Sequence, residues 1–132
     1  MTFFDAHLDL AYLAECGRDM TCPDLAACGG PHPPASITLP SLREGGVTAC
    51  LGTIFTQGVP DPSAPDAATG SYTYPLGDAE AARAAGLRQL DRYDAWQQQG
   101  LITLMARRGA PEPEGEPARA AGESPLRVGI LV

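Results

Sequence analysis

Four apolar runs, separated by amphipathic or loop-like segments, set the pattern of the chain. They span residues 2–9, 47–56, 101–106 and 127–132. The run over 47–56 is apolar or β-branched at nearly every position, which is typical of a strand buried on both faces in a parallel sheet. We therefore predict four strands, the first of which ends in polar residues.

Helix signals lie between these strands. One or two helical turns are predicted over residues 10–15, and a second short helix from Thr38, an N-cap residue type, to the glycines at 45–46. A long helix is predicted from Asp78, as its N-cap, to about Gln99. The residues expected on its buried side are Ala82, Gly86, Leu90, Tyr93 and Trp96 or Gln97.

Three segments lack the period of a helix or a strand. Residues 19–36 and 57–77 are rich in Pro and Gly and are predicted to be loops. Residues 109–125 consist almost wholly of Gly, Ala, Pro and Glu, too few bulky apolar side chains to offset the entropy of ordering, so we predict a mobile loop there. The order of strands and helices predicts an α/β protein with parallel-strand βαβ units.

The length of the chain limits its architecture. With 132 residues it can form one domain of ordinary size, whereas a complete (β/α)₈ barrel takes about 250 residues. The last predicted strand also runs to Val132 without the polar loop that usually follows a buried strand. We therefore expect residues 1–132 to form a single incomplete domain.

The chain is acidic and contains no lysine. Nine arginines stand against 16 acidic residues, which gives a net charge of −7. Repulsion from phosphates makes nucleic acids and anionic membrane surfaces unfavourable partners. The first residues lack the basic region of a secretory signal peptide, and no apolar run is long enough to span a membrane, so we expect a cytoplasmic protein. In that reducing compartment the four cysteines are expected to be free thiols.

The residues best suited to chemistry lie at the end of the first strand, in Asp5-Ala6-His7-Leu8-Asp9. Alternate side chains of a strand point to the same side, so we expect Asp5, His7 and Asp9 to converge. Imidazole and carboxylate together suit zinc or a similar ion, which can activate water for attack on a carbonyl or phosphoryl centre. The alternative is a structural one, in which His7 is hydrogen-bonded at a strand end and Asp9 caps the next helix.

Four features of the sequence occur in an order that resembles that of a known family. DAHLDLAY at residues 5–12 is followed by SLREGGVTACLGTIF at 41–55, then by a long helix and a terminal RVGILV. In order and spacing they resemble the start of the membrane dipeptidase family, the M19 zinc peptidases related to the amidohydrolases. Those proteins begin with a D-G-H-N-D-like strand and continue with an R-L-R-x-G-G-V-x-A-Q-like segment. The chain departs from this pattern at Ala6, Leu8 and Cys50-Leu51.

The resemblance implies the first part of a (β/α)₈ barrel that binds two zinc ions and hydrolyses dipeptides. His7 and Asp9 match the histidine and the second aspartate of the family's first strand, which bind one zinc. Asp5 matches the first acid, for which we expect a supporting role near the ligands rather than metal binding. The remaining ligands of the family would follow Val132, so the chain would hold at most one partial zinc site and be inactive by itself.

Two other functions remain open from the residues. A metal-dependent phosphoesterase or deaminase can use a similar barrel, although such sites more often begin H-x-H, and Asp9 occupies the position of the second histidine. An inactive fragment or interaction module would expose open sheet edges and self-associate or pair with another chain. Two further positions are noted: His32, in a proline-rich loop, is expected to be solvated, and Tyr72 and Tyr74 are expected to line a pocket or cover apolar surface.

Overall fold

The computed structural model describes residues 2–61, 63–64, 70–105 and 125–131. Within these residues the chain forms six strands and three helices. In chain order they are β1 (Phe3–Leu8), α1 (Leu10–Glu15), α2 (Leu39–Glu44), β2 (Val47–Thr53), β3 (Gln57–Val59), β4 (Thr73–Pro75), α3 (Ala79–Gln98), β5 (Ile102–Leu104) and β6 (Leu126–Leu131).

Four of the strands form one parallel sheet. Their order is β1-β2-β6-β5, and all three neighbouring pairs run parallel. The strands β3 and β4 form a separate two-stranded parallel sheet. The predicted α/β class with parallel strands is confirmed. Because β2 and β6 lie in the centre, the edges of the main sheet are β1 and β5.

The predicted end of one strand and the predicted extent of one loop are wrong. The strand expected to reach residue 56 ends at Thr53, and the loop expected over 57–77 contains β3 and β4. Strands of three residues are too short to show a period in the sequence, which is why β3 and β4 were not predicted. Of the loop expected over 109–125, residues 109–124 lie outside the described part of the chain.

The helix ends follow the predicted capping signals. Thr38 and Ser41 form a reciprocal capping box, in which the Thr38 N–H donates to the Ser41 hydroxyl at 2.9 Å. The Asp78 side chain accepts the Ala81 N–H at 2.9 Å, so it caps α3 as expected. Beyond the end of α3, Gly100 has a φ of 72°, which a residue without a side chain adopts at low cost.

The buried face of α3 is the predicted one at Tyr93 and Trp96 and differs from it in the first half of the helix. Ala85, Gln89, Tyr93 and Trp96 are buried, whereas Ala82, Gly86 and Leu90 are only partly buried. The difference arises because a polar residue, Gln89, has no exposed surface. Its amide bonds to Phe55 in both directions: the Phe55 N–H donates to Gln89 Oε1 at 2.9 Å, and Gln89 Nε2 donates to the Phe55 carbonyl. These bonds satisfy the backbone just beyond β2, where the chain leaves the sheet.

The main core lies between the sheet and the helices. Tyr93 and Trp96 of α3 pack edge to face, with ring centroids 5.6 Å apart. They belong to one buried cluster whose other members are Leu8, Leu10, Ala11, Met20, Leu39, Leu42, Cys50, Ile102, Leu126 and Val128. Strands and helices from both halves of the described chain therefore share a single core.

Glu15 joins α1 to α3 and to the segment before β4. Its carboxylate accepts bonds from the Ser71 hydroxyl and, at 3.0 Å, from Arg92. Burial raises the pKa of Glu15, but the hydrogen bonds from Ser71 and Arg92 and the charges of Arg92 and Arg88 outweigh it. The pKa therefore lies below its ordinary value, and the carboxylate is ionised at neutral pH.

Several arginines bond to backbone carbonyls instead of carboxylates. Arg18 is only 6% exposed, and two loop carbonyls accept hydrogen bonds from its buried guanidinium. The bonds of Arg43 and Arg88 hold irregular segments against the helices α2 and α3, and those of Arg18 join two parts of the loop between α1 and α2. The pairs are Arg18 with Pro31 and Ile37, Arg43 with Leu101, and Arg88 with Ser71.

The Gln89 contacts lead to a stability prediction. Replacing Gln89 by Leu keeps a side chain of similar size but leaves the Phe55 N–H and carbonyl without their partner. We expect the free energy of unfolding to fall by about 2 kcal/mol, the usual cost of an unsatisfied buried polar group. Urea denaturation measures the loss.

The matched control is Gln98→Leu, an exposed glutamine on the same helix. We expect it to change stability by less than about 0.5 kcal/mol. Equal losses in the two variants would contradict a structural role for the Gln89 amide.

Candidate metal centre

The two predicted ligands lie at the carboxyl edge of the parallel sheet. His7 is the next-to-last residue of β1, and Asp9 follows the strand and precedes α1. This edge is where open α/β sheets and barrels place functional residues, because loops with free polar groups follow each strand there. The position of both residues is set by the end of one strand.

His7 and Asp9 lie close together. The His7 Nε2 atom is 3.5 Å from Asp9 Oδ1, and the two side chains are 68% and 36% exposed. Both groups are therefore accessible to a ligand from solvent. The structure brings together the two residues that the resemblance assigns to one metal ion.

The Asp5 carboxylate bonds to the backbone of β1. Its Oδ1 accepts the backbone N–H of His7 at 2.9 Å. The pairing of β1 with β2 is irregular here, since Asp5 lies opposite Cys50 and Leu8 opposite Gly52. Three steps along β1 thus match two steps along β2, as in a β-bulge, and strict alternation of side chains does not hold. The expectation that Asp5 converges with His7 and Asp9 by alternation is wrong for this reason.

The Asp9 side chain is held by the neighbouring strand. The Thr53 hydroxyl, at the end of β2, donates to Asp9 Oδ1. Asp9 is the N-cap residue of α1, but within the described part of the chain its side chain makes no capping hydrogen bond. The helix-capping alternative for Asp9 is therefore not what the structure shows.

Tyr93, a residue of α3, contacts the end of β2 at Gly52 and Thr53. Its hydroxyl donates to the Thr53 carbonyl at 3.2 Å, and the ring lies against Gly52, where an added Cβ would be 2.5 Å from the hydroxyl oxygen. Burial raises the pKa of Tyr93 above its ordinary value, and negative charge on Asp9 adds to the rise, so the phenol remains a protonated donor.

Thr53 and Tyr93 were not among the residues predicted for the site. Tyr93 was assigned to the helix's buried side, and Thr53 to the interior of a strand. The available signal was Gly52, because a glycine inside an otherwise apolar strand often marks a close approach by another group.

The donor chemistry of the pair fits zinc. Protein ligands bind tetrahedral zinc at about 2.0–2.2 Å, which places two of them about 3.4 Å apart, and the observed separation is 3.5 Å. Their number does not complete a site: the described ranges contain no group of three or more His, Cys, Asp or Glu side chains that could hold a metal ion. The pair is at most part of a metal centre.

The other predicted residues lie elsewhere. His32 is exposed in its loop, as expected. Tyr72 packs edge to face on Tyr12, with centroids 4.8 Å apart, and Tyr12 packs in the same way on Phe55 at 5.0 Å. A hydrogen bond with Cys16, together with burial, raises the pKa of Tyr12 to about 12. These three rings form an aromatic cluster in which Phe55 remains 40% exposed. Tyr74 lies in β4 and is partly buried.

A groove among the described residues lies at the opposite end of the sheet. It has a volume of about 780 Å³ and lies beside α2 and the first residues of β2 and β6, with Arg43, Val47, Thr48, Leu126 and Arg127 in its wall. The carboxyl edge carries the ligand-type residues, so we place the candidate site there rather than in this groove.

The four cysteines, all within the described residues, are free thiols. Cys50 lies at the centre of the sheet with no exposed surface. Burial raises the pKa of Cys50 to about 11, and the charge of Asp5 on the adjacent strand adds to the effect. The Cys50 side chain is therefore a buried, protonated thiol at neutral pH.

No protein-family model matches this chain, and no curated protein or solved structure was found to be similar to it. The assignment of a function therefore depends on the geometry described above. Among the helices that the structure describes, none combines the length and the apolar character needed to cross a bilayer.

The environment of Cys50 predicts selective thiol labelling. At neutral pH a maleimide should modify the partly exposed Cys16 and Cys22 and leave Cys28 and Cys50 unmodified, because the latter two are buried. Mass spectrometry of the labelled protein identifies the modified residues. In denaturant all four should react, and labelling of native Cys50 as fast as Cys22 would contradict the prediction.

Proposed function

We propose that this chain carries the first metal-binding strand of a zinc-dependent hydrolase similar to the membrane dipeptidases, with dipeptides as the substrates. The observation that carries the proposal is the 3.5 Å separation of His7 Nε2 and Asp9 Oδ1 at the carboxyl edge of a parallel sheet. This spacing suits two ligands of one zinc ion.

Each residue of the strand has a separate task in this proposal. His7 supplies a nitrogen ligand and Asp9 an oxygen ligand, and Asp5 fixes the backbone between them by accepting the His7 N–H. When bound, zinc supplies a water molecule activated for attack on the peptide carbonyl. The described residues provide two protein ligands, one fewer than catalytic zinc sites generally use, so we propose that this chain alone is inactive.

The proposed architecture is the beginning of a (β/α)₈ barrel. The parallel pairing of β1 with β2 and of β2 with β6 supports it, since barrels join parallel neighbours with helices on the outside. The strand β5 departs from that order, because it precedes β6 in the chain but lies on its far side. We therefore assign β1, β2 and β6 to the barrel and treat β5 as an added strand. The free thiols agree with a cytoplasmic location, which belongs to the same proposal.

The proposal predicts weak binding of one zinc ion per chain. His7→Ala and Asp9→Asn should each weaken zinc binding by at least about tenfold, because each removes one of two ligands. Competition with a chromophoric chelator measures the affinity. His32→Ala is the matched control, since it removes an exposed histidine from a loop and should leave the affinity unchanged.

The same preparations test whether the chain is inactive by itself. We expect no zinc-dependent hydrolysis of dipeptides by the pure protein. Hydrolysis that disappears in His7→Ala would show that the chain holds a complete site and would overturn this part of the proposal. Zinc binding that is equally strong in His7→Ala and in the unaltered chain would overturn the assignment of the ligands.

A second candidate function is self-association through β1. This edge strand exposes 50% of Phe3 and 58% of Phe4, and an open apolar edge favours pairing with another strand. The opposite edge is better protected, because the Leu104 N–H of β5 donates to the Gln97 side chain at 2.8 Å. We propose a second copy of the chain as the partner, with β1 against β1.

Sedimentation velocity tests this association. The unaltered chain should form dimers as its concentration rises, and Phe4→Lys should weaken dimerisation by at least about tenfold, because a charge in the edge opposes strand pairing. Leu87→Lys, which alters an exposed apolar residue on α3, is the control and should leave dimerisation unchanged. A monomer at every concentration, or equal effects of the two lysines, would contradict the proposal.

A further inference from the structure

We infer that Thr53 is a positioning residue for the Asp9 carboxylate, and that Tyr93 holds Thr53 in place. The inference deepens the proposed function, since it assigns residues that support a ligand of the metal centre. It starts from the bond between the Thr53 hydroxyl and Asp9 Oδ1, which connects the ends of two adjacent strands.

The Thr53 hydroxyl bonds to the same Asp9 oxygen that lies next to His7. Asp9 Oδ1 accepts the Thr53 hydroxyl and is also the atom 3.5 Å from His7 Nε2. A carboxylate oxygen has two lone pairs, so accepting one hydroxyl leaves the other available for a metal ion. The Asp9 side chain makes no capping bond within the described residues, so its contacts there are the Thr53 hydroxyl bond and the more distant His7 imidazole.

Thr53 is itself firmly placed. It is 6% exposed and lies in the central strand β2, where it pairs with Leu131 of β6. A β-branched side chain has few accessible χ1 rotamers, so a fixed backbone also fixes the hydroxyl. The Leu8 carbonyl lies 3.4 Å from the same hydroxyl, whose single proton goes to the closer acceptor, Asp9 Oδ1.

Tyr93 fixes the backbone of Thr53 from the core. Its hydroxyl donates to the Thr53 carbonyl at 3.2 Å, and its ring has no exposed surface. The approach requires glycine at position 52, because a Cβ there would lie 2.5 Å from the Tyr93 hydroxyl oxygen. Tyr93, Thr53 and Asp9 thus form a connected path from the helix α3 to the exposed carboxylate.

Residues that hydrogen-bond to a metal ligand usually have a large effect on the affinity for the metal. Removing a hydrogen-bond partner of a ligand typically weakens metal binding by about 10- to 100-fold. Thr53→Val removes the hydroxyl and keeps the shape, whereas Thr53→Ser keeps the hydroxyl. We expect zinc and Co²⁺ affinity to fall by about tenfold in Thr53→Val and by less than about threefold in Thr53→Ser. Thr48→Val is the matched control, since it makes the same change at the exposed, amino-terminal end of β2.

A second measurement requires no metal. Three-bond NMR couplings from Asp9 Cγ to its backbone report whether χ1 occupies one rotamer. We expect one rotamer in the unaltered chain, in Thr53→Ser and in Thr48→Val, and averaged rotamers in Thr53→Val. The dispersion of the amide spectrum shows that each variant is folded. For Tyr93→Phe we expect partial averaging.

The outcomes separate this inference from the proposed function. A single Asp9 rotamer in folded Thr53→Val overturns the inference, whatever the metal affinity is. Equal Co²⁺ affinity in Thr53→Val and in the unaltered chain also overturns it. If no variant binds metal but Asp9 averages in Thr53→Val alone, the proposed function fails and the positioning role stands.

Discussion

The hydrogen bonds that α3 makes to the end of β2 hold the carboxyl edge of the sheet in place. Tyr93 donates to the Thr53 carbonyl, and two residues further on the Gln89 amide bonds to Phe55 in both directions. Backbone groups at the end of a strand lose their sheet partners and need others when they are buried. Here a helix supplies them, so side chains of α3 support the end of β2 together with its pairing to β6.

The position of Asp9 depends on that arrangement. Thr53 donates to the Asp9 carboxylate, and its own carbonyl accepts a hydrogen bond from Tyr93 in the core. Tyr93 can come this close because position 52 is a glycine. A carboxylate at the exposed end of an edge strand would otherwise be free to rotate. The core and the candidate site are therefore one connected structure, in which a change in helix packing alters the carboxylate.

Local signals in the sequence were sufficient for the α/β class and for the main helices and strands, but not for the short strands β3 and β4. Thr38 and Asp78 cap helices as their residue types predict, and the apolar run from Val47 gives the central strand. For the site, His7 and Asp9 were predicted from residue type and spacing, and they are close together. Thr53 and Tyr93 were not predicted, because their contact joins positions 40 residues apart. The bulge between Asp5 and Leu8 depends likewise on pairing between strands, which no local period reveals.

The arginines that bond to carbonyls affect how the protein responds to ions in solution. Arg18, Arg43 and Arg88 each place a charge against a backbone dipole, and the buried one is poorly reached by dissolved salt. The excess of acidic residues, by contrast, produces a repulsion among exposed charges that salt screens well. Added salt therefore relieves the repulsion among the exposed carboxylates while sparing the buried Arg18 contacts, so the loop that Arg18 secures is less sensitive to ionic strength than a loop held by an exposed ion pair.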